Sequence, residues 1–269
     1  MRAGVRLMAP MTKRFGFYPE LLRIDAGPVS VRPLANLEAI VESVFAGDEI
    51  EDGWIYAPPQ QTRDVKSGEV RAGPYSARVF GLSKTHVIEH AAATGEDHLD
   101  FHVWCLSFFL GTRLSTTDAG FLDAATVKRG RLVDFVLLGP GLEKAVVLAE
   151  RFWRKNLGQP RNAKRYAAAI HALFLGQYRQ ALQFEKFIYL YAALDACFAL
   201  TKAITGLNGP RTHAQRIKWT CDQLGVETPA WAKSTGRRDT VVSRLRNNAL
   251  HEALFVDEPL GLVVSPGVV

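Results

Sequence analysis

Cysteine is scarce: Cys105, Cys197 and Cys221 are the only three in 269 residues. They lie far apart in apolar or helical surroundings, which excludes a disulfide framework and a cysteine-based zinc module. That spacing suits buried thiols in a reducing cytoplasm. The first ten residues, Met1 to Pro10, carry no apolar core of the length a signal peptide needs. No stretch approaches the roughly 18 uninterrupted apolar residues of a membrane span, because Asp195 interrupts the best candidate, and no membrane partner is expected. Also missing are a Walker-type phosphate loop, a dinucleotide-binding glycine fingerprint and a Gly-x-Ser-x-Gly elbow. Internal repeats and low-complexity tracts are absent too.

Acidic residues are few in one region. Residues 151–250 hold 17 Lys and Arg against 5 Asp and Glu, whereas residues 1–150 hold 16 against 19. The whole excess behind the net charge of +6 therefore lies in the later part of the chain. A basic segment beside a neutral-to-acidic one points to a polyanionic partner, with nucleic acid the leading candidate and a solvated basic surface the alternative.

The periodicity predicts an α+β protein of two modules, residues 1–157 and 158–269. In the first, Pro28 to Pro33, Gly53 to Pro58, Ser76 to Leu82, Thr85 to His90 and Arg131 to Leu138 read as short strands bounded by Pro and Gly, making a modest sheet. His98 to Leu110 is an apolar run whose length favours a helix. From Leu142 the pattern is helical: 141–156, Arg161 to Ala181, Phe184 to Thr205, His213 to Leu224, and a last helix from about Arg238 to Phe255. Short connections between these helices favour an antiparallel bundle in the second module.

The last helix holds the most unusual chemistry, Ser243-Arg244-Leu245-Arg246-Asn247-Asn248-Ala249-Leu250-His251-Glu252. Arg244, Asn247, Asn248 and His251 fall on one polar stripe of an ideal helix, while Val241, Leu245 and Ala249 supply an apolar side. Arg246 projects between apolar positions and needs a partner or a ligand if that side is buried. Arg246 with His251 suits RNA cleavage by transesterification. An imidazole moves protons near neutral pH, a guanidinium fork stabilises the phosphate, and a ribose 2′-hydroxyl nucleophile requires no metal. On an ideal helix the two are about 140° apart, so convergence needs the long arginine side chain or a second subunit. Arg165 and His171 satisfy a similar spacing, so the pattern carries weight only with its surroundings.

Those surroundings are Phe187-Ile188-Tyr189-Leu190-Tyr191-Ala192-Ala193-Leu194-Asp195-Ala196-Cys197-Phe198, an intervening helix, and Arg244 to His251. Across about Arg161 to Phe255 the sequence resembles the HEPN family (higher eukaryotes and prokaryotes nucleotide-binding), most closely its ApeA-like branch. That family is a helical bundle whose last long helix carries an Arg-x4-6-His motif. The resemblance implies a metal-independent, cofactor-free endoribonuclease acting on single-stranded RNA as a homodimer with facing motif helices. It implies that Arg246 binds the scissile phosphate, His251 is general acid or base and Asn247 orients them. Asp195 would hold Arg246 or His251 in place, or else merely pack or cap its helix; Arg244 and Asn248 would contact RNA. Many members serve toxin–antitoxin or antiphage systems, whereas others keep the fold as non-catalytic nucleotide- or RNA-binding modules. A dimeric interaction protein of that kind is the alternative here.

A second constellation is His86, Glu89, His90, Asp97, His98, Asp100 and His102. Two His-x3-His pairs with carboxylates nearby could bind zinc or manganese, but a polar sheet edge and a helix start account for them more simply, so no metal is expected. Trp153, Tyr166, Tyr178, Tyr189, Tyr191 and Trp219, interspersed with Arg151, Arg154, Arg165, Arg179 and Lys218, could stack on RNA bases; bundle core is the simpler account of most of them.

Overall fold

A computed structural model describes residues 10–47, 50–57, 61–72, 82–116, 124–126, 136–178, 181–233 and 240–252. The chain is a mixed α+β protein with small antiparallel sheets, and it divides into two compact units, Met1–Leu157 and Gly158–Val269.

The first unit runs β1 (Met11–Gly16), β2 (Ile24–Ala26), β3 (Val29–Pro33), α1 (Leu37–Ala46), β4 (Ile50–Glu51), β5 (Trp54–Tyr56), β6 (Gln61–Arg63), β7 (Val70–Ala72), β8 (Lys84–His90), α2 (Glu96–Leu110), β9 (Ala124–Thr126) and α3 (Gly139–Lys155). Its main sheet has the order β1-β8-β3-β2 and is antiparallel throughout. The β2–β3 hairpin turns on Gly27-Pro28: Gly27 sits at φ 63°, which a glycine adopts at little cost, and proline fixes the next φ. Along β8 the period of two puts His86, Ile88 and His90 on one face, each 0% exposed. Helix α2 packs against β1, β8 and α3 and buries residues nearly all round, including Leu99, Val103, Leu106 and Leu110. Helix α3 buries one stripe, Leu142, Ala145, Val146, Ala149 and Glu150, against α2 and β2. A separate apolar cluster joins Phe17, Val44, Ile55 and Leu82.

Helix α1 is an addition to the elements expected from the sequence, although Leu37, Ile40, Val41 and Val44 fall at helical spacing. Gly139-Pro140-Gly141 was expected to close a strand; instead it opens α3, with Pro140 in the first turn, where its missing N–H is no loss. The expected strand at 131–138 falls largely outside the described residues, and 136–138 are not strand. The expected strand at 76–82 lies outside them except for Leu82.

The second unit contains α4 (Pro160–Leu175), α5 (Gln183–Thr205), α6 (His213–Leu224), a 3-10 turn (Ala230–Ala232), α7 (Val241–Asn247) and a π-helical turn (Asn248–Glu252). Helix α4 stops earlier than the expected Ala181 and tightens into i→i+3 turns through Gln177 and Tyr178. Gly176 there lets α5 approach, since a Cβ at that position would stand 2.7 Å from Leu190 Cγ. Helix α5 packs along α4 and against α6. It is also the one described helix long and apolar enough, by length and composition alone, to cross a membrane, with a mean hydropathy of 1.5. Helix α7 starts with a reciprocal cap: Thr240 Oγ1 accepts from Ser243 N at 3.1 Å, and Ser243 Oγ accepts from Thr240 N at 2.9 Å.

Candidate functional site

The motif residues stand where α7 becomes a π turn. A turn closed by i→i+5 bonds carries more residues than an α turn, so side chains five apart come closer to eclipsing. Arg246 and His251, widely splayed on an ideal α-helix, are thereby brought side by side. Arg246 Nη1 donates to His251 Nε2 at 2.6 Å and to Asn247 Oδ1 at 3.0 Å. Because a guanidinium only donates, the Nε2 of His251 carries a lone pair and the ring holds its proton on Nδ1. The pair is solvent-facing, whereas Arg246 Nε is a buried donor without an acceptor.

Asp195, on α5, pairs with neither motif residue. Its Oδ1 accepts from Arg216 Nη1 at 3.1 Å and stands 3.9 Å from His213 Nδ1, both on α6. His213 Nδ1 also accepts from Tyr191 Oη at 2.7 Å and faces Arg216 Nη1 at 3.2 Å, so this ring too is neutral at Nδ1. Burial, then the charges of Arg216 and Arg246, push the His213 pKa down; burial and then Asp195 push the Tyr191 phenol up. The charges of Arg246 and His251 thus reach His213, and α5, α6 and α7 share one electrostatic neighbourhood. The Arg216 guanidinium lies 4.9 Å over the Phe198 ring, and its Nε likewise has no acceptor. Arg244 is exposed and Asn248 half-buried, and neither takes part in the Arg246–His251 contact. Arg216 and His213 escaped sequence reasoning, although their i, i+3 spacing at the start of a helix puts them on one face.

The histidines of the first unit do not form a polar sheet edge and helix start. His90 from β8, His98 and His102 from α2, and Glu150 from α3 converge, exposed by 0%, 1%, 1% and 5%. Their Nε2 atoms approach Glu150 Oε2 at 3.2, 2.8 and 3.0 Å respectively. Arg154 binds Glu150 Oε1, and Trp153 stacks on His98 at 4.6 Å between centroids and 9° between planes. Burial raises the Glu150 pKa, but bonds from the three imidazoles and Arg154 outweigh it and hold the carboxyl well below the usual carboxylate range. Burial also pushes His102 down, so it stays neutral.

The other members of that constellation lie apart. His86 stacks on Phe15, accepts from Leu22 N at 3.3 Å and bonds Thr85 Oγ1 at 3.0 Å. Asp100 pairs with Lys13, and Glu89 and Asp97 are exposed. Glu150 was missed, yet it occupies the apolar stripe four residues after Val146 and eight after Leu142, where a lone carboxylate signals buried partners.

Comparison of the chain with family models, with curated proteins and with solved structures finds no match in any of the three.

Proposed function

We propose that the Gly158–Val269 unit is a HEPN-like endoribonuclease module that cleaves single-stranded RNA without metal. The observation that carries this reading is the π turn, which sets the guanidinium of Arg246 beside an imidazole lone pair on His251. The basic excess of residues 151–250 supports a polyanionic substrate. In the resting arrangement Arg246 occupies the His251 lone pair. A phosphate entering the site draws Arg246 to itself and frees Nε2. His251 then takes the proton of the ribose 2′-hydroxyl, the 2′-oxygen attacks phosphorus and the bond to the 5′-oxygen breaks. Products are a 2′,3′-cyclic phosphate and a 5′-hydroxyl. His251, now an imidazolium, returns that proton to the leaving 5′-oxygen, and in the homodimer this reading implies two such helices face each other. Asn247 fixes Arg246, and the Asp195–Arg216–His213 cluster positions and charges the rim. Arg244 and Asn248 would track along the RNA backbone. Three unpaired thiols fit a reducing cytoplasm, where a toxin or antiphage role would operate.

The same 2.6 Å contact also favours a second reading, a non-catalytic RNA-binding module, because it leaves the base capped. The two separate in one assay of labelled single-stranded RNA with EDTA present. If the enzyme reading holds, wild type leaves cyclic phosphate ends. His251→Ala then loses about 10²–10⁴-fold in rate and Arg246→Ala about 10²–10³-fold. Salt-sensitive binding without cleavage, lost on Arg246→Ala, establishes the binding module instead. Neither binding nor cleavage removes RNA from the account.

A further inference from the structure

We propose that His90, His98, His102 and Glu150 form a closed, four-coordinate site for a divalent transition metal, zinc first, that locks β8, α2 and α3 together. This inference concerns the Met1–Leu157 unit and does not rest on the RNA reading.

Four potential ligand atoms, one from each side chain, lie within 4.8 Å of one another, and all four residues are buried. Three imidazole nitrogens and one carboxylate oxygen are a donor set that zinc and its neighbours take. Bond lengths of about 2.0–2.1 Å in a tetrahedron place ligand atoms about 3.3 Å apart. The observed Nε2 to Oε2 separations of 3.2, 2.8 and 3.0 Å come close to that edge. Hydrogen bonding alone explains the cluster less well. Three N–H groups crowd one oxygen that offers about two lone-pair directions, while the other oxygen is left to Arg154. That second contact is the kind of outer bond that fixes a metal-bound carboxylate, and Trp153 stacked on His98 fixes a ring. All four side chains are buried, which makes the role structural: catalytic zinc keeps an open position.

The site carries a consequence of its own. Ala92 N and Thr94 N now face Nδ1 of His90 and His98 at 3.0 and 3.3 Å. A metal on Nε2 moves each ring proton to Nδ1, so both amides must turn to other acceptors when the ion binds.

Metal analysis of the full chain purified without chelator tests the proposal, with stripping and then reloading with zinc or cobalt(II). The expected result is about one metal per chain, visible absorption from tetrahedral cobalt(II), and a melting temperature that falls on stripping and recovers on reloading. Amide signals of Ala92 and Thr94 should shift with loading. Glu150→Gln and His102→Ala should each bind metal at least tenfold more weakly, the expected size for loss of a ligand or its close support. Less than a tenth of a metal per wild-type chain, with no melting shift on adding zinc, cobalt, nickel, iron(II) or manganese, would overturn the site. It would leave a carboxylate caged by imidazoles.

Discussion

At the scale of single residues, the same side chain does different work according to how its ring nitrogens are engaged. His251 keeps a lone pair under a guanidinium, whereas the Nε2 atoms of His90, His98 and His102 all face a buried carboxylate. His86 shares neither arrangement. Burial lowers its pKa to about 4, outweighing a hydrogen bond to the Glu20 backbone that raises it. A base with a folded-state pKa below its unfolded value binds more protons when unfolded. Stability is therefore whole above the unfolded value and falls as pH drops through 6.5 toward 4. The full effect is roughly 3 kcal/mol. Urea titrations of the first unit between pH 7 and 4 should show a shallower loss in His86→Gln than in wild type; equal slopes would place the acid sensitivity elsewhere.

At the scale of elements, helix ends position the chemistry. The Thr240–Ser243 cap starts α7 six residues before Arg246, and both caps are buried, exposed by 3% each. Thr240→Ala should cost about 1 kcal/mol of second-unit stability, read from the denaturant midpoint. Helix α5 ends at Gly206, φ 70°, and the chain returns past Phe198 at Gly209, where a Cβ would lie 2.7 Å from the ring. Phe198 supports Arg216 and packs edge-on against Trp219 at 5.4 Å. Gly209→Ala should therefore push the ring and cost about 1–3 kcal/mol, and on the ribonuclease proposal it should also weaken RNA affinity through Arg216. Unchanged stability and affinity would separate Phe198 from the site. In α3, Glu150 shows the converse arrangement, a polar group on an apolar stripe that only neighbouring elements can satisfy.

At the scale of the whole molecule, the two units divide the chemistry as well as the chain. Net positive charge lies in the second unit, whose 14 Lys and Arg stand against 8 Asp and Glu, whereas the first unit holds 19 of each. If the ribonuclease reading holds, RNA affinity should therefore fall with salt, with a log–log slope that shrinks by about 0.7 when Arg246→Ala removes one phosphate contact. The buried metal-type cluster belongs to the other unit. Calorimetry should accordingly show chelator lowering one unfolding transition and leaving the other in place.

The sequence by itself determined the features that local pattern encodes. Helix α6 was legible residue for residue, α5 to within a residue and α2 within two, because long periodic segments state their own structure. The sequence also singled out Arg246, Asn247 and His251 as a set, and their side chains do meet. Short strands such as β4 and β9 were not, since two or three residues become a strand only when a partner pairs with them. Tertiary structure alone decided the rest. The π turn that joins Arg246 to His251 departs from the ideal helix that periodicity assumes. Asp195 chose Arg216 because α6 lies beside α5, and no spacing along the chain encodes that neighbour. Glu150 met histidines 48, 52 and 60 residues away because burying a carboxylate is costly without donors, and the packing of α3 on α2 and the sheet supplies them.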